Sequence, residues 1–162
     1  MLDVEQFQMV VVRPVLLFLH DEIPHSVGAE QLLVATGIQE SRLRALRQYG
    51  GPARGLFQME PATFNDLLDN FVKHRHGLDA KVRQLLAPWP TPLVQLQTNL
   101  SFAAAMARIL YFRAPEPMPA AGDLESMAKF YKLRYNTPLG AATVKQFKDN
   151  ATKNGWPFVQ SI

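Results

Sequence analysis

Apolar residues recur along this chain at intervals of three and four, the spacing that lines up one helix face, and no two segments alternate as paired strands do. Val4, Phe7 and Val11 predict an N-terminal helix that Pro14 kinks or breaks. Ser26 suits the N-cap of a helix reaching about residue 39, with Glu30 near its positive end and Leu32, Leu33 and Thr36 turned inward. From 41 to 60 the periodicity lapses, and Gly50-Gly51-Pro52 and Gly55 mark a loop region. Pro61 then opens a helix carrying Phe64, Leu67, Leu68 and Phe71, which closes on His74, Arg75, His76 and a C-cap Gly77. A short helix over 78–86 ends at Pro88-Trp89-Pro90. Leu93, Leu96, Leu100, Ala103, Ala107 and Leu110 form one long stripe, with Phe102, Met106, Ile109 and Phe112 on another side, so this helix is expected at the centre. After a proline-rich connector at 115–119, Asp123 caps a helix through Tyr135, and Thr137-Pro138 reads as cap and first residue of a last helix to about 150. The tail from 151 has no period, although Trp156 and Phe158 are placed to pack back.

The expectation is therefore one all-α domain with little or no β structure over residues 1–162. It divides into an N-terminal helical extension (1–25), a core (26–150) and an irregular tail (151–162). With 48% hydrophobic and 19% charged residues, the composition is that of a globular domain able to bury a core. The absence of cysteine excludes disulfides, thiolate metal sites and a cysteine nucleophile. The opening Met1-Leu2-Asp3-Val4-Glu5 is acidic, unlike the basic start of a secretory signal, and the apolar run 10–19 is cut by Arg13-Pro14 and too short to span a membrane. A net charge of +3 favours polyanions of any kind and does not choose between them.

Chemistry concentrates between 38 and 64. Glu40 ends the Ser26-capped helix, where the negative end of the helix dipole and apolar neighbours such as Ile38 and Leu43 favour a retained proton. A carboxyl protonated near neutral pH is what general acid catalysis at a glycosidic oxygen requires. Beyond it, Gly55-Leu56-Phe57-Gln58 supplies a turn glycine and an amide able to donate to and accept from a sugar.

Four elements in order resemble the lytic transglycosylases of lysozyme-like fold: Glu40-Ser41; Gly55-Leu56-Phe57-Gln58 with Pro61-Ala62-Thr63; Asn99-Leu100 opening an alanine-rich helix; and Tyr135-Asn136 with Gly140 following. The resemblance covers roughly residues 30–140. It implies a cleft for glycan strands of alternating N-acetylmuramic acid and N-acetylglucosamine. It also implies Glu40 as acid and then base, with Ser41, Gly55, Leu56, Phe57, Gln58, Tyr135 and Asn136 around the substrate. No cofactor and no metal are implied. Two positions depart from the pattern. Glu60 stands where the family has an apolar residue, and Thr137-Pro138-Leu139 separates Asn136 from Gly140 where the family has one residue. A hydrolytic glycosidase uses a second carboxylate, about 5–5.5 Å away for retention or about 6.5–9.5 Å for inversion; Glu60 and Asp66 are the candidates, behind anhydro-forming cleavage.

Other features read as structural. His74 and His76 are two apart, so they leave one helix face and do not form a metal pair, and His20 and His25 read as loop or helix-end residues. Lys129, Lys132, Arg134, Lys145, Lys148 and Lys153 interleave with aromatics that fall on apolar stripes, which disfavours nucleic acid as substrate. Trp89 and Trp156 read as loop anchors before they read as sugar platforms. The acidic start and small size point to a phage virion protein that opens the wall during genome entry, with other virion proteins as further partners, ahead of a free endolysin or a non-catalytic virion module.

Overall fold

The computed structural model describes residues 1–137 and 140–159. In chain order its α-helices are α1 Val4–Gln6, α2 Arg13–Phe18, α3 Val27–Ser41, α4 Pro61–Asn70, α5 His76–Leu85, α6 Pro92–Thr98, α7 Leu100–Phe112, α8 Leu124–Arg134 and α9 Val144–Lys153. A π-helical stretch, Phe7–Val12, joins α1 to α2, and a 3-10 turn, Val72–His74, joins α4 to α5. Among the described residues extended pairing is limited to two isolated bridges, Arg47 with Arg54 and Arg54 with Met59, so the protein is all-α.

Two helices occupy the interior. α3 is buried continuously from Gly28 to Ile38, and α7 from Phe102 to Tyr111. A helix apolar on every side gains nothing from facing water, and each large side chain so buried contributes about 1.5–3 kcal/mol. The Tyr111 hydroxyl ties the pair together at 2.7 Å from Thr36 Oγ1, whose own proton goes to the Leu32 carbonyl. Around them pack α2, the π stretch, α4, α5, α8 and α9. The caps at Ser26 and Asp123 form as expected, each side-chain oxygen accepting the N–H three residues on.

Pro14 neither breaks nor ends the first helix. The chain widens into the π stretch before it, so the Arg13 N–H reaches back five residues to the Gln8 carbonyl. In that geometry residues five apart come onto one side, and Gln8 and Arg13 both face the interior. With Phe7, Val12, Val15, Leu16 and Leu19 buried as well, residues 4–19 belong to the core and are not appended to it.

Three boundaries differ from expectation. The helix from Pro61 stops at Asn70, and His76-Gly77 begins α5 where a C-cap was expected. The stripe from Leu93 to Leu110 spans two helices, because Asn99 leaves helical geometry (φ −125°, ψ 95°) and caps α7 by accepting from the Phe102 N–H. The last helix starts at Val144 and runs past 150 to Lys153. Its cap is Thr143, in a reciprocal capping box with Gln146, whereas Thr137 has φ +69° and lies seven residues before the helix starts. Pro138 and Leu139, expected at the start of that helix and in the Tyr-Asn motif, lie outside the described residues.

Trp156 and Phe158 pack edge-to-face at 5.3 Å and return to the core. Gln8 holds this tail by a two-way amide bond, Nε2 to the Val159 carbonyl at 2.7 Å and the Val159 N–H to Oε1 at 3.0 Å. Gln31 adds a bond to the Pro157 carbonyl.

Candidate active site around Glu40

The end of α3 is closed by an unusual turn. Arg42 and Leu43 both adopt left-handed backbone, at φ 54° and 50°, although neither is glycine. Such residues cost of order 1–3 kcal/mol each and persist where surrounding packing over-determines them. Here the Arg42 N–H donates to the Ile38 carbonyl, and the Leu43 side chain is driven fully inward. It fills the notch left by Gly37, where a Cβ would meet Leu43 Cδ2 at 2.7 Å. The turn thus fixes Glu40 in the last turn of a helix that cannot rotate.

Glu40 is partly buried and lines a groove of about 1130 Å³ between the end of α3, the 42–60 loop and the segment after α8. The Tyr131 hydroxyl donates to Glu40 Oε1 at 2.6 Å; among the described residues nothing bonds Oε2. Burial pushes the carboxyl up and the Tyr131 bond pulls it back, leaving it at about 7 against an ordinary 4.5. Burial, the facing Glu40 charge and the bond donated to it raise Tyr131 in turn, so its proton stays on the phenol. Aromatic contacts fix that phenol: Tyr131 stacks on Phe147 at 4.6 Å and Tyr135 packs on Tyr111 at 5.2 Å.

The motif residues gather here, in two different roles. Ser41, Gln58, Tyr135 and Asn136 line the groove with Glu40, as does Glu60. Gly55, Leu56 and Phe57 do not, which corrects their expected place against substrate. Leu56 and Phe57 are core residues, Phe57 packing on Phe7 at 6.0 Å. Gly55 is required by backbone crowding: its φ is +74° and a Cβ would lie 1.9 Å from the Leu96 carbonyl oxygen. The turn they form is a brace. Gln58 Nε2 donates to the Gly55 carbonyl at 2.7 Å, and the Tyr135 hydroxyl donates to the Phe57 carbonyl at 2.7 Å, tying the end of α8 to the turn. Ser41 Oγ likewise donates to the Gly37 carbonyl. The longer spacing to Gly140 leaves it against Asn136, whose carbonyl oxygen would lie 2.4 Å from an added Cβ.

Of the two candidate second carboxylates, Glu60 is exposed on the groove wall at the start of α4 and caps no N–H. Asp66 is not on the groove. It accepts from Asn70 and pairs with Arg113, which hold it below the usual carboxylate range. The other wall carries Arg42, Arg44 and Arg47, all exposed and none ion-paired among the described residues.

Sequence reasoning assigned Tyr131 to an apolar stripe and missed it as the partner of Glu40. Its spacing of four from Tyr135, which places both phenols on one face of α8, was the available signal. Trp89 is 83% exposed and off the groove, so it anchors nothing. Phe130, Tyr131 and Phe147 are buried and offer no stacking surface, and Lys129, Arg134, Lys145 and Lys148 are each paired with an acid. His25 bonds Glu30 and accompanies no metal-like cluster; among the described residues no group of three or more His, Asp or Glu could hold a metal ion. No helix of the described residues is long and apolar enough to cross a membrane. No family model, curated protein or solved structure matches the chain.

Proposed function

We propose that the protein is a peptidoglycan lytic transglycosylase of lysozyme-like fold, cleaving the bond between N-acetylmuramic acid and N-acetylglucosamine. The observation that carries the reading is Glu40: a carboxyl titrating at about 7, in a groove of about 1130 Å³, with one oxygen held by Tyr131 and the other bonded by none of the described residues. At neutral pH a large fraction of such groups holds a proton, and a general acid of matched pKa contributes about 10²–10⁴-fold. Glu40 gives that proton to the glycosidic oxygen as the muramyl C1–O bond breaks. The carboxylate then takes the proton of the muramyl 6-hydroxyl as O6 bonds to C1, which closes a 1,6-anhydro ring and returns the acid.

The groove of about 1130 Å³ carries arginines with no ion pair among the described residues, and these suit a glycan that bears acidic stem peptides. Phage virion delivery, with local wall opening at genome entry, is part of the same proposal. Glu60, which lines the groove together with Glu40, supports a second reading, a water-using muramidase with Glu60 as base.

Mass spectrometry of digested, purified sacculi tests both. Anhydromuramyl products that vanish in Glu40→Gln support the transglycosylase, and reducing-end products that vanish also in Glu60→Gln support the muramidase. Full activity in Glu40→Gln would sink both. Glycan binding without any product identifies a non-catalytic module.

A further inference from the structure

A second cavity, of about 460 Å³, lies between the start of α3, the C-terminal half of α7 and the connector after it, and shares no lining residue with the groove. Its walls are mostly apolar, with Pro24, Val27, Phe112 and Met118 among them. Its volume falls within the roughly 300–1,000 Å³ of small-molecule sites. One wall residue does not belong in such company. Arg108 is 4% exposed, and neither its Nε–H nor its Nη1–H meets an acceptor among the described residues. Its single described bond runs from Nη2 to the Pro24 carbonyl at 3.1 Å, and its guanidinium carbon lies 5.8 Å from the Phe112 ring centre. Pro24 and Phe112 both line the cavity, so the guanidinium is at its edge.

Among the described residues no acid pairs with this charge. Glu116, the one carboxylate on the cavity wall, is paired with Arg134, and Glu30 is paired with Arg13. Burial pulls Arg108 down to about 10, which still leaves it charged at neutral pH. A buried charge with unmet donors costs several kcal/mol unless something supplies the missing acceptors. The start of α3 adds to the deficit: Ser26 serves the N–H groups of Ala29 and Glu30, whereas those of Val27 and Gly28 meet no acceptor among the described residues.

We infer that this cavity binds a small carboxylate with an apolar body, its carboxylate on Arg108 and the start of α3 and its body against Phe112 and Met118. One cation without an acid partner among the described residues, set in mostly apolar walls, matches a monoanion; a phosphate dianion would need more donors than the site offers.

Calorimetric titration and thermal melts of the full chain with sodium octanoate, octanamide as the neutral control and ionic strength held constant, test the site. Octanoate is expected to bind and raise the melting temperature, with octanamide weaker by roughly ten- to a hundred-fold, the worth of one charged hydrogen-bonded contact. Arg108→Met should lose that preference and, unliganded, melt above the parent, because an unpaired buried charge has gone. In the unmodified protein, the Arg108 Nε–H resonance should move on adding octanoate and stay still with octanamide, a readout that does not depend on the variant folding. Equal affinity for acid and amide, or unchanged octanoate binding in Arg108→Met, overturns the inference.

Discussion

Helix α3 carries two glutamates removed from water, and they end in opposite states. Glu30, at its start, is fully buried and meets four donor nitrogens among the described residues: Arg13 Nε at 2.9 Å and Nη2 at 2.8 Å, Gln8 Nε2 at 2.9 Å and His25 Nε2 at 2.6 Å. Burial alone would push it up, yet Arg13, His25 and Gln8 outweigh that and hold it below the usual range, as an anion. Glu40, less completely buried, has Tyr131 as its one donor among the described residues, and burial wins. The comparison teaches that depth does not set the charge state of a carboxyl. The supply of donors does, and the fold furnishes them fully at one end of α3 and sparingly at the other.

The largest effects should come from removing each carboxylate. Glu40→Gln cannot donate a proton, and sacculus digestion should fall by about 10²–10⁴-fold with the circular dichroism spectrum unchanged. Glu30→Gln should leave activity chemistry intact and attack the fold, because Arg13 and His25 lose their common anion. Breaking a buried pair from one side costs about 3–5 kcal/mol, visible as a lower urea midpoint. If Glu30→Gln melted like the parent, the buried network would not be the anchor of the first helix and the tail.

The two sites should also give stability opposite dependences on pH. Glu30, depressed on folding, adds stability above its ordinary range that disappears as pH falls through its folded value. Glu40, raised from 4.5 to about 7, favours the fold when protonated: that contribution is complete below 4.5 and is lost as pH rises to about 7. Glu40→Gln should therefore melt with the parent near pH 4 and above it beyond pH 7. The gap has a ceiling of about 3 kcal/mol from 1.36 kcal/mol per unit, and partial exposure lowers it. A gap that closed with rising pH would show that Glu40 is not desolvated.

How much of this was legible depended on whether the signal was local. Ser26 and Asp123 announce caps because the cap oxygen and the N–H that donates to it lie within four residues, and Pro61 marks a helix start by an equally local signal. Glu40, Gln58 and Asn136 were found through spaced motifs, and they do meet in one groove. Thr143 was overlooked in favour of Thr137, although Thr143-Val144-Lys145-Gln146 is itself a capping-box pattern; a following proline drew attention to the wrong threonine. The Glu30 network was not legible at all. It depends on Gln8 and Arg13 sharing a side, which a 3.6-residue period forbids and only the π stretch before Pro14 allows. Leu56 and Phe57 were misassigned because a turn that positions a site was taken for one that touches substrate.

The smallest expected effect is the most diagnostic. Tyr131→Phe keeps the ring on Phe147 and deletes only the donor to Glu40. With that bond gone, burial acts unopposed and Glu40 should titrate above about 7, by about one unit or 1.4 kcal/mol. Since the acid must carry its proton, the alkaline limb of the pH–rate profile should move the same way, and the variant should outlast the parent relative to its own maximum as pH rises. Loss of positioning lowers the maximum rate in either direction, so the limb, rather than the rate, carries the information. A limb that stayed in place would mean that Tyr131 only props up the core, and the contrast with Glu30 would then owe nothing to donors.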